Sequence, residues 1–576
     1  MASTVFAGTD PEQFEIEVLG VARNGLGPGK DLIVIRLLGE RVEHTGVVAG
    51  MSGSPVMIGG CLAGALAYRL GAFTKEPIAG VTPFEYMAAI PADGGDPPLA
   101  AQRGVLEATA AIASLADSGE HARRTLLPPP GVESGDDARP LRVPLLVAGA
   151  VPGLLEQLTG ALERAGWSGV VGGGPADPTA PFSRTLAPGD AVAALLLDGE
   201  LTVAATGTVT EVDGDRVWAF GHPFLRTGTT RLPMARVDIV TTVASAMNSY
   251  KVGNVGSAIG TFHQDQAAGI AGRLGPVPRL LPLEVTLRSD GSPPRVHHFG
   301  VVDHPAWMPF LAQLALLNTV LPDLAYGDEV TLSMDTTVRL AGQQEARFHE
   351  AYAGDAQTVA PAVAAAAETG LLLASLTGNR FGPPAIESVG VELSISPRRG
   401  PLVLEAAEPS RRRVVAGEQI EVRALLSSYR EAPALHRLVL QLPADLQPGP
   451  LQVVVGGAGA IDQSERRAAT QRLRQLDSVA AIVGWINDLR SSDRLYARAY
   501  RQGAGAVVDG HLLPALPASV LDVFSGDHSG GGFGYLDQVP VAETSQTLPG
   551  PVVGSRTFTL DVHPAGDAPA PEGNDR

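Results

Sequence analysis

The sequence predicts a mainly β protein with some α, divided into several domains. Three observations predict it. Glycine (68) and proline (46) fill about a fifth of the 576 residues while aromatics make up 5%, a composition suited to many short strands joined by tight turns. Alternating or continuous apolar runs of strand length recur along most of the chain, bounded by turn residues. Helical periodicity is confined to a few stretches, chiefly 305–321 and 358–376. A chain of this length exceeds one core, so roughly three to five domains are expected. At 45% apolar and 18% charged residues it reads as globular.

The first segment, 1–95, reads as β. FEIEVLGVA alternates, PGKDLIVIRL is a turn followed by a buried strand, and PVMIGGCLAGALAY is a hairpin with Gly59-Gly60 at its tip. Residues 96–140 break the pattern with a helix-like Ala/Leu stretch and LPPPGVESGDDARP, and read as a linker. Segment 141–185 is a small α/β unit: strand, amphipathic helix, strand, then Gly172-Gly173-Gly174. That triplet opens no helix, so it reads as a flexible loop rather than a phosphate cradle.

Segment 186–290 is β again, with VDGD at 212–215 as a hairpin turn between TGTVT and RVWAF. Segment 291–385 mixes strands with the two helices; the alanine-rich one has no basic face and reads as a packing helix. Segment 386–460 repeats short strands (VGVELSISP, LVLEAA, EQIEVRALLSS, LHRLVLQLP, LQVVVGG) at sandwich-like spacing and resembles a small Ig-like β-sandwich. Segment 461–576 holds a helical patch, a C-terminal β segment and a tail, APAPEGNDR, that reads as disordered.

Net charge of −18 and a pI near 5.1 argue against nucleic acid, since no basic surplus exists to neutralise phosphates. The single cysteine, Cys61, excludes an internal disulfide framework and a Cys-rich metal site. No run of 18 apolar residues suggests a membrane span. The first twenty residues carry no signal-peptide pattern. By that reading the protein is cytoplasmic, or the chain lacks its natural leader. No metal or organic cofactor is implied.

Chemistry centres on GMSGSP, residues 50–55. A nucleophilic serine needs an exposed Oγ on a tight turn, with backbone N–H groups aimed at the developing oxyanion. Here Ser52 would be the nucleophile, and the N–H groups of Gly50 and Ser52 the oxyanion hole. The glycines open backbone conformations closed to other residues. Ser54 is only a small neighbour in this reading, and Pro55 launches the strand behind the turn. A plain Gly/Ser β-turn without chemistry is the competing reading.

The flanks extend the pattern. EQFEIEVLGV, PGKDLIVIRL, HTGVVAGMSGSPVMIGGCLAGALAY and PIAGVTPFEYM occur in an order that resembles the SpoIVB-type serine peptidase family, from Glu12 to Met87. TGTVTEVDGDRVWAFGHPF resembles that family's glycine-histidine segment, and VGNVGSAIGTFHQDQAAGIAG a stretch downstream of it. The resemblance implies a trypsin-like double β-barrel and a serine endopeptidase (a hydrolase). It implies cleavage of protein or peptide bonds through an acyl-enzyme on Ser52, with His222 as general base. It also implies an exported, extracytoplasmic bacterial protein. His44, read as an exposed strand-end residue, and His263, in the FHQDQ loop, are weaker candidates.

Two departures bear on activity. The family places histidine before serine, whereas Ser52 precedes His222 here. Either the halves are circularly permuted, or Ser52 of one chain meets His222 of another in a homodimer. The family aspartate falls on Leu38, which cannot orient an imidazole. Asp31, Glu40, Glu43, Asp213, Asp215 and Asp265 are available substitutes, and Asp265 is preferred because it lies in the family-like loop. Without a substitute the site is a Ser-His dyad, or its activity is weak or absent. The alternative function is a catalytically weak or inactive peptidase-like scaffold that binds extended peptides.

Overall fold

The computed structural model is mainly β, with 54% strand and 16% helix. It describes residues 1–71, 74–91, 139–141, 143–152, 154, 168–172, 185–225, 227–245, 248–289, 291–324, 329–355, 360–396, 400–428, 431–465, 476–508, 511–513, 520 and 533–564. Outside the described residues lie most of the 96–140 linker and most of the helix read within 141–185. The same holds for the glycine loop beyond Gly172, part of the helical patch, and the tail from 565. The chain forms two compact units: Met1–Ala101 with Leu126–Leu283 and His297–Asn318, and Gln102–Thr125 with Glu284–Val296 and Thr319–Arg576.

The first unit opens with β1 (Ala2–Thr4), β2 (Glu12–Ala22), β3 (Leu32–Leu38), helix α1 (Glu40–Thr45), β4 (Ser54–Ile58), β5 (Cys61–Arg69), β6 (Ile78–Pro83) and helix α2 (Phe84–Ala88). The strands pair in the order β4-β1-β2-β3-β6-β5, and β4 also pairs with β5, so they close into a six-stranded barrel. Alternate side chains point inward: Phe14, Ile35, Leu37, Val56, Leu66, Ala79 and Val81 share one core with Val48 and Met51 of the turn that precedes β4. The β4–β5 hairpin turns at Gly59 and Gly60, both with positive φ (61° and 83°), as a two-residue hairpin turn demands. His44 is exposed as expected, but it lies in α1 rather than at a strand end. The Glu43 carboxylate accepts from the N–H of Gly39 (3.1 Å) and satisfies a donor at the helix start.

After β7 (Arg139–Pro140), β8 (Pro144–Ala148) and β9 (Ser168–Val171) come β10 (Ala191–Gly199), β11 (Thr202–Asp213), β12 (Arg216–Ala219), β13 (Gly228–Val243), β14 (Tyr250–Gln266) and β15 (Gly269–Leu274). The order β10-β13-β14-β15-β12-β11, with β10 also paired to β11, closes a second six-stranded ring. The hairpin turn expected at 212–215 joins β11 to β12. Register shifts along the β13–β14 pairing let these long strands curl. β8 and β9 pair in parallel. Met87 and Ile90 pack with Trp218, Ala268 and Ala271, so α2 and the residues after it join the two rings. The rings of Phe84 and Trp218 meet edge to face at 5.9 Å.

The second unit holds an antiparallel sheet of β18 (Glu329–Leu340), β19 (Gln344–Asp355) and β20 (Ile386–Ser396), after β16 (Leu281–Ser289) and β17 (Arg295–Val301), which cross the unit boundary. The helix Ala360–Thr377 is long and apolar enough to cross a bilayer by length and composition, but 72% of it is buried inside the protein. A further four-stranded sheet contains Leu402–Pro409, Gln419–Ser427, Ala434–Gln441 and Val552–Val553. A six-stranded sheet includes Gly449–Gly456, Arg494–Val508 and Ser555–His563. Their residues share one core from Leu402 to Val562, so strands beyond 460 belong to it, whereas β20 pairs with β18.

Candidate active site

The GMSGSP turn runs into β4 with Gly50 at φ +99° and Gly53 at φ +98°, conformations that favour glycine. The carbonyls from Ala49 to Gly53 are each tied down. Ala49 O accepts from Lys251 N (3.2 Å), Met51 O from Ser54 N (2.9 Å), and Ser52 O from Thr208 N (2.8 Å). Gly50 O accepts from Thr208 Oγ1 (2.9 Å), Met51 O also from Ser54 Oγ (2.7 Å), and Gly53 O from Thr210 Oγ1 (2.7 Å). Because a peptide is planar and trans, pinning its carbonyl sets the direction of the N–H on its other side. The N–H groups of Met51, Gly53 and Ser54 bond to Val48 O, Leu66 O and Met51 O. Among the described residues, those of Gly50 and Ser52 have no hydrogen bond. The two donors expected of an oxyanion hole are thus the two left open and held in place.

Most of these ties come from the second ring. Thr208 and Thr210 lie on β11 and Lys251 on β14. The approach is so close that a Cβ on Gly53 would stand 2.0 Å from Thr208 O and 2.5 Å from Phe220 N. Phe220 N in turn donates to Thr208 O (3.3 Å). Phe220 adopts φ +69°, an uncommon conformation for a bulky residue that costs on the order of 1–3 kcal/mol, and such strain clusters at functional sites. Gly221 follows, with φ +67°, its carbonyl accepting from Thr82 Oγ1, and a Cβ there would meet Ala65 Cβ at 2.7 Å. These contacts carry the chain from the serine turn to His222 within one polypeptide. Pairing across a homodimer is not required to bring the two segments together.

Against the exposed Oγ expected of a nucleophilic serine, Ser52 is 0% exposed and His222 1%, because the second ring packs directly on the turn. The Nδ1 of His222 lies 2.9 Å from Pro223 O. A carbonyl can only accept, so Nδ1 carries the hydrogen and Nε2 presents a lone pair. Desolvation lowers the imidazole to about 4, with the Pro223 bond opposing it, so the ring is neutral at pH 7. Nε2 of His222 and Oγ of Ser52 are both buried without a hydrogen-bond partner, and they do not bond to each other. Orphaned buried polar atoms are rare and call for a functional account.

Asp265 is buried, but its carboxylate accepts from Phe224 N (2.8 Å) and Leu225 N, the backbone just beyond His222. The place at Nδ1 expected for Asp265 is taken by the carbonyl of Pro223. The reason is local: the loop after His222 turns its own N–H groups onto the carboxylate. The other acids are engaged elsewhere or exposed. Asp31 accepts from Asn24 N, Glu43 from Gly39 N, and Asp215 pairs with Arg273 (2.7 Å), while Glu40 and Asp213 are exposed. Leu38 ends β3 opposite Glu15, and His263 is a half-buried residue of β14.

The sequence reading missed Ser54, Thr208, Thr210, Lys251 and the Pro223 carbonyl. Ser54 was in plain view inside the motif. Lys251 carried a fainter signal: it is one of three lysines among 43 Lys and Arg, set in a glycine-rich strand. Thr208 and Thr210 are ordinary strand residues in sequence, and only the fold brings them to the turn. Compared with known proteins, the chain matches no protein-family model, no curated protein and no solved structure.

Proposed function

We propose that this protein is a serine peptidase of the SpoIVB type. Ser52 is its nucleophile and His222 its general base in a permuted, trypsin-like double barrel. The observation that carries this reading is a set of four unsatisfied groups: Ser52 Oγ and the N–H groups of Gly50 and Ser52 on the turn, and His222 Nε2 two residues beyond Phe220, which packs on that turn. In the reaction, Nε2 takes the Oγ proton as Oγ attacks the scissile carbonyl, and the two N–H groups receive the oxyanion. Nε2 then gives the proton to the leaving amine, and water releases the acyl group by the same steps reversed. The Pro223 carbonyl keeps the imidazole in the working tautomer. Being neutral, it stabilises the imidazolium less than a carboxylate does, so we describe a Ser-His dyad braced by a carbonyl. Asp265 positions the loop that supplies this carbonyl.

The substrate class is protein or peptide, with an Ig-like sandwich in the second unit as a presenting domain. The family resemblance favours an extracytoplasmic location. A second reading, a weak or inactive scaffold that binds extended peptide, draws on the enclosure of Ser52 and His222 and the missing bond between them. Catalytic hydrogen bonds are often long before substrate binds, so this geometry does not decide against the enzyme. Incubation with an unfolded protein, with new N-termini mapped by mass spectrometry, separates the two. The peptidase yields cleavages that vanish in Ser52→Ala; the scaffold yields none, and retains the polypeptide in a pull-down.

A further inference from the structure

Beneath the serine turn lies a buried lysine that the mechanism above does not use. Lys251 is 2% exposed, and Thr4 Oγ1, at 2.7 Å, is the one hydrogen-bond partner of its Nζ among the described residues. Thr4 Oγ1 is 3.3 Å from Thr208 Oγ1, which lies 2.9 Å from Gly50 O. The direction of this chain is forced. An ammonium only donates and a carbonyl only accepts, and each threonine has one hydroxyl hydrogen to pass on. It therefore runs from Lys251 through Thr4 and Thr208 to Gly50 O. The lysine stem also underlies the turn, because a Cβ on Gly50 would meet Lys251 Cδ at 3.2 Å. Its backbone N–H holds Ala49 O, the carbonyl of the peptide that carries the Gly50 N–H.

We propose that Lys251 is a positioning residue of the oxyanion turn, acting through Thr4 and Thr208 on the Gly50 carbonyl. The inference rests on the peptidase reading: the relay fixes the Gly50–Met51 peptide, which lies between the two peptides that carry the proposed oxyanion donors. Hydrogen-bond chains polarise their members, and fixed dipoles need no reorganisation when charge develops. Burial without a carboxylate partner lowers the ammonium to about 7 from its ordinary 10.5. The unfolded chain therefore holds this proton more tightly between those values. Lys251 thus costs stability at pH 7 and below, and the cost disappears as pH rises towards 10.5. A residue kept only for packing would not carry this penalty, since an apolar side chain of the same length fills the space.

The experiment is a double-mutant cycle on the full chain, reading fluorophosphonate labelling rate and melting temperature. Lys251→Met keeps the stem and removes the ammonium; Thr4→Val keeps the ammonium and breaks the relay. Each is expected to slow labelling by about tenfold or more. The double variant should be no slower than the slower single, because both cut one chain. Lys251→Met should melt no lower than wild type at pH 7. Wild-type labelling with Lys251→Met within twofold of it would overturn this inference alone, as would additive losses that track falling melting temperature. An unlabelled wild type would overturn the peptidase reading and this inference with it. Should Lys251→Met fail to fold, Thr4→Val within twofold of wild type overturns the inference equally.

Discussion

Thr208 donates its backbone N–H to the carbonyl of Ser52 across 2.8 Å, and its hydroxyl to the carbonyl of Gly50 at 2.9 Å. One residue of the second ring thereby holds the peptide after the candidate nucleophile and the Gly50–Met51 peptide before it. For the proposed pair, this explains how Ser52 can precede His222 by 170 residues. The order of a constellation along the chain is immaterial when the segments are bonded in space.

The closeness of that contact is testable at Gly53. An alanine there must place Cβ 2.0 Å from Thr208 O at φ +98°, so backbone has to move. We predict that Gly53→Ala destabilises the protein by about 2 kcal/mol or more and abolishes fluorophosphonate labelling. Gly46→Ala is the control: φ is +67°, nothing lies within 4 Å, and the cost is about 1 kcal/mol of backbone strain. Equal denaturation midpoints for the two variants would contradict the contact.

Ser54 should matter to rate more than to stability. Its hydroxyl and N–H both hold Met51 O, which aims the N–H of Ser52. In Ser54→Ala the backbone bond remains, so stability should fall by only about 1 kcal/mol. The turnover number should fall about tenfold with KM nearly unchanged, since the lost restraint acts on the transition state. A change confined to KM would count against this role.

Asp265 separates a positioning role from that of a catalytic acid. Asparagine can offer one oxygen to Phe224 N and Leu225 N, leaving one of these donors poorly matched. Asp265→Asn should cost roughly 1–3 kcal/mol of stability and leave the acid limb of the pH-rate profile in place. Were Asp265 the partner of the imidazole, turnover would drop on the order of 10⁴-fold instead.

The pH dependence follows from burial of His222. Its imidazole is lowered from 6.5 to about 4, so the base form persists, and kcat/KM should fall only as pH drops through about 4. Stability obeys the same shift. Between 6.5 and 4 the unfolded chain takes up a proton that the folded one does not, so stability declines as pH falls through that window. His304, likewise lowered to about 4 by burial, contributes a similar slope. His222→Gln should therefore flatten the melting temperature over that window in part, leaving the share of His304. An acid limb near 7 would show that the imidazole is far less enclosed.

Much of the fold was legible because its signals are local. Gly59-Gly60 and the VDGD turn specify hairpins by conformation alone, and Phe14 and Ile16 alternating with Glu15 and Glu17 set one barrel face, whereas Val18, Leu19 and Val21 further along β2 are exposed. Helix α1 was not legible, since six residues are too few to establish a period and the restraint that starts it, Glu43 to Gly39, is a single bond. In the site, Ser52 and His222 were marked by glycines that any close approach requires. Thr208, Thr210 and Lys251 were not, because their roles arise from pairing between rings. The place beside the His222 Nδ1 is held by a main-chain carbonyl and not a carboxylate, and no side-chain pattern announces that.

In the proposed mechanism Ser52 and His222 form one working pair within a single chain. Its most direct test is a fluorophosphonate reaction followed by peptide mapping of the adduct in wild type, Ser52→Ala and His222→Ala. One adduct per chain is expected, on Ser52, absent from Ser52→Ala and formed at least about 10³-fold more slowly in His222→Ala. Labelling of Ser52 at the same rate without His222, or no adduct on a folded wild-type chain, would contradict it.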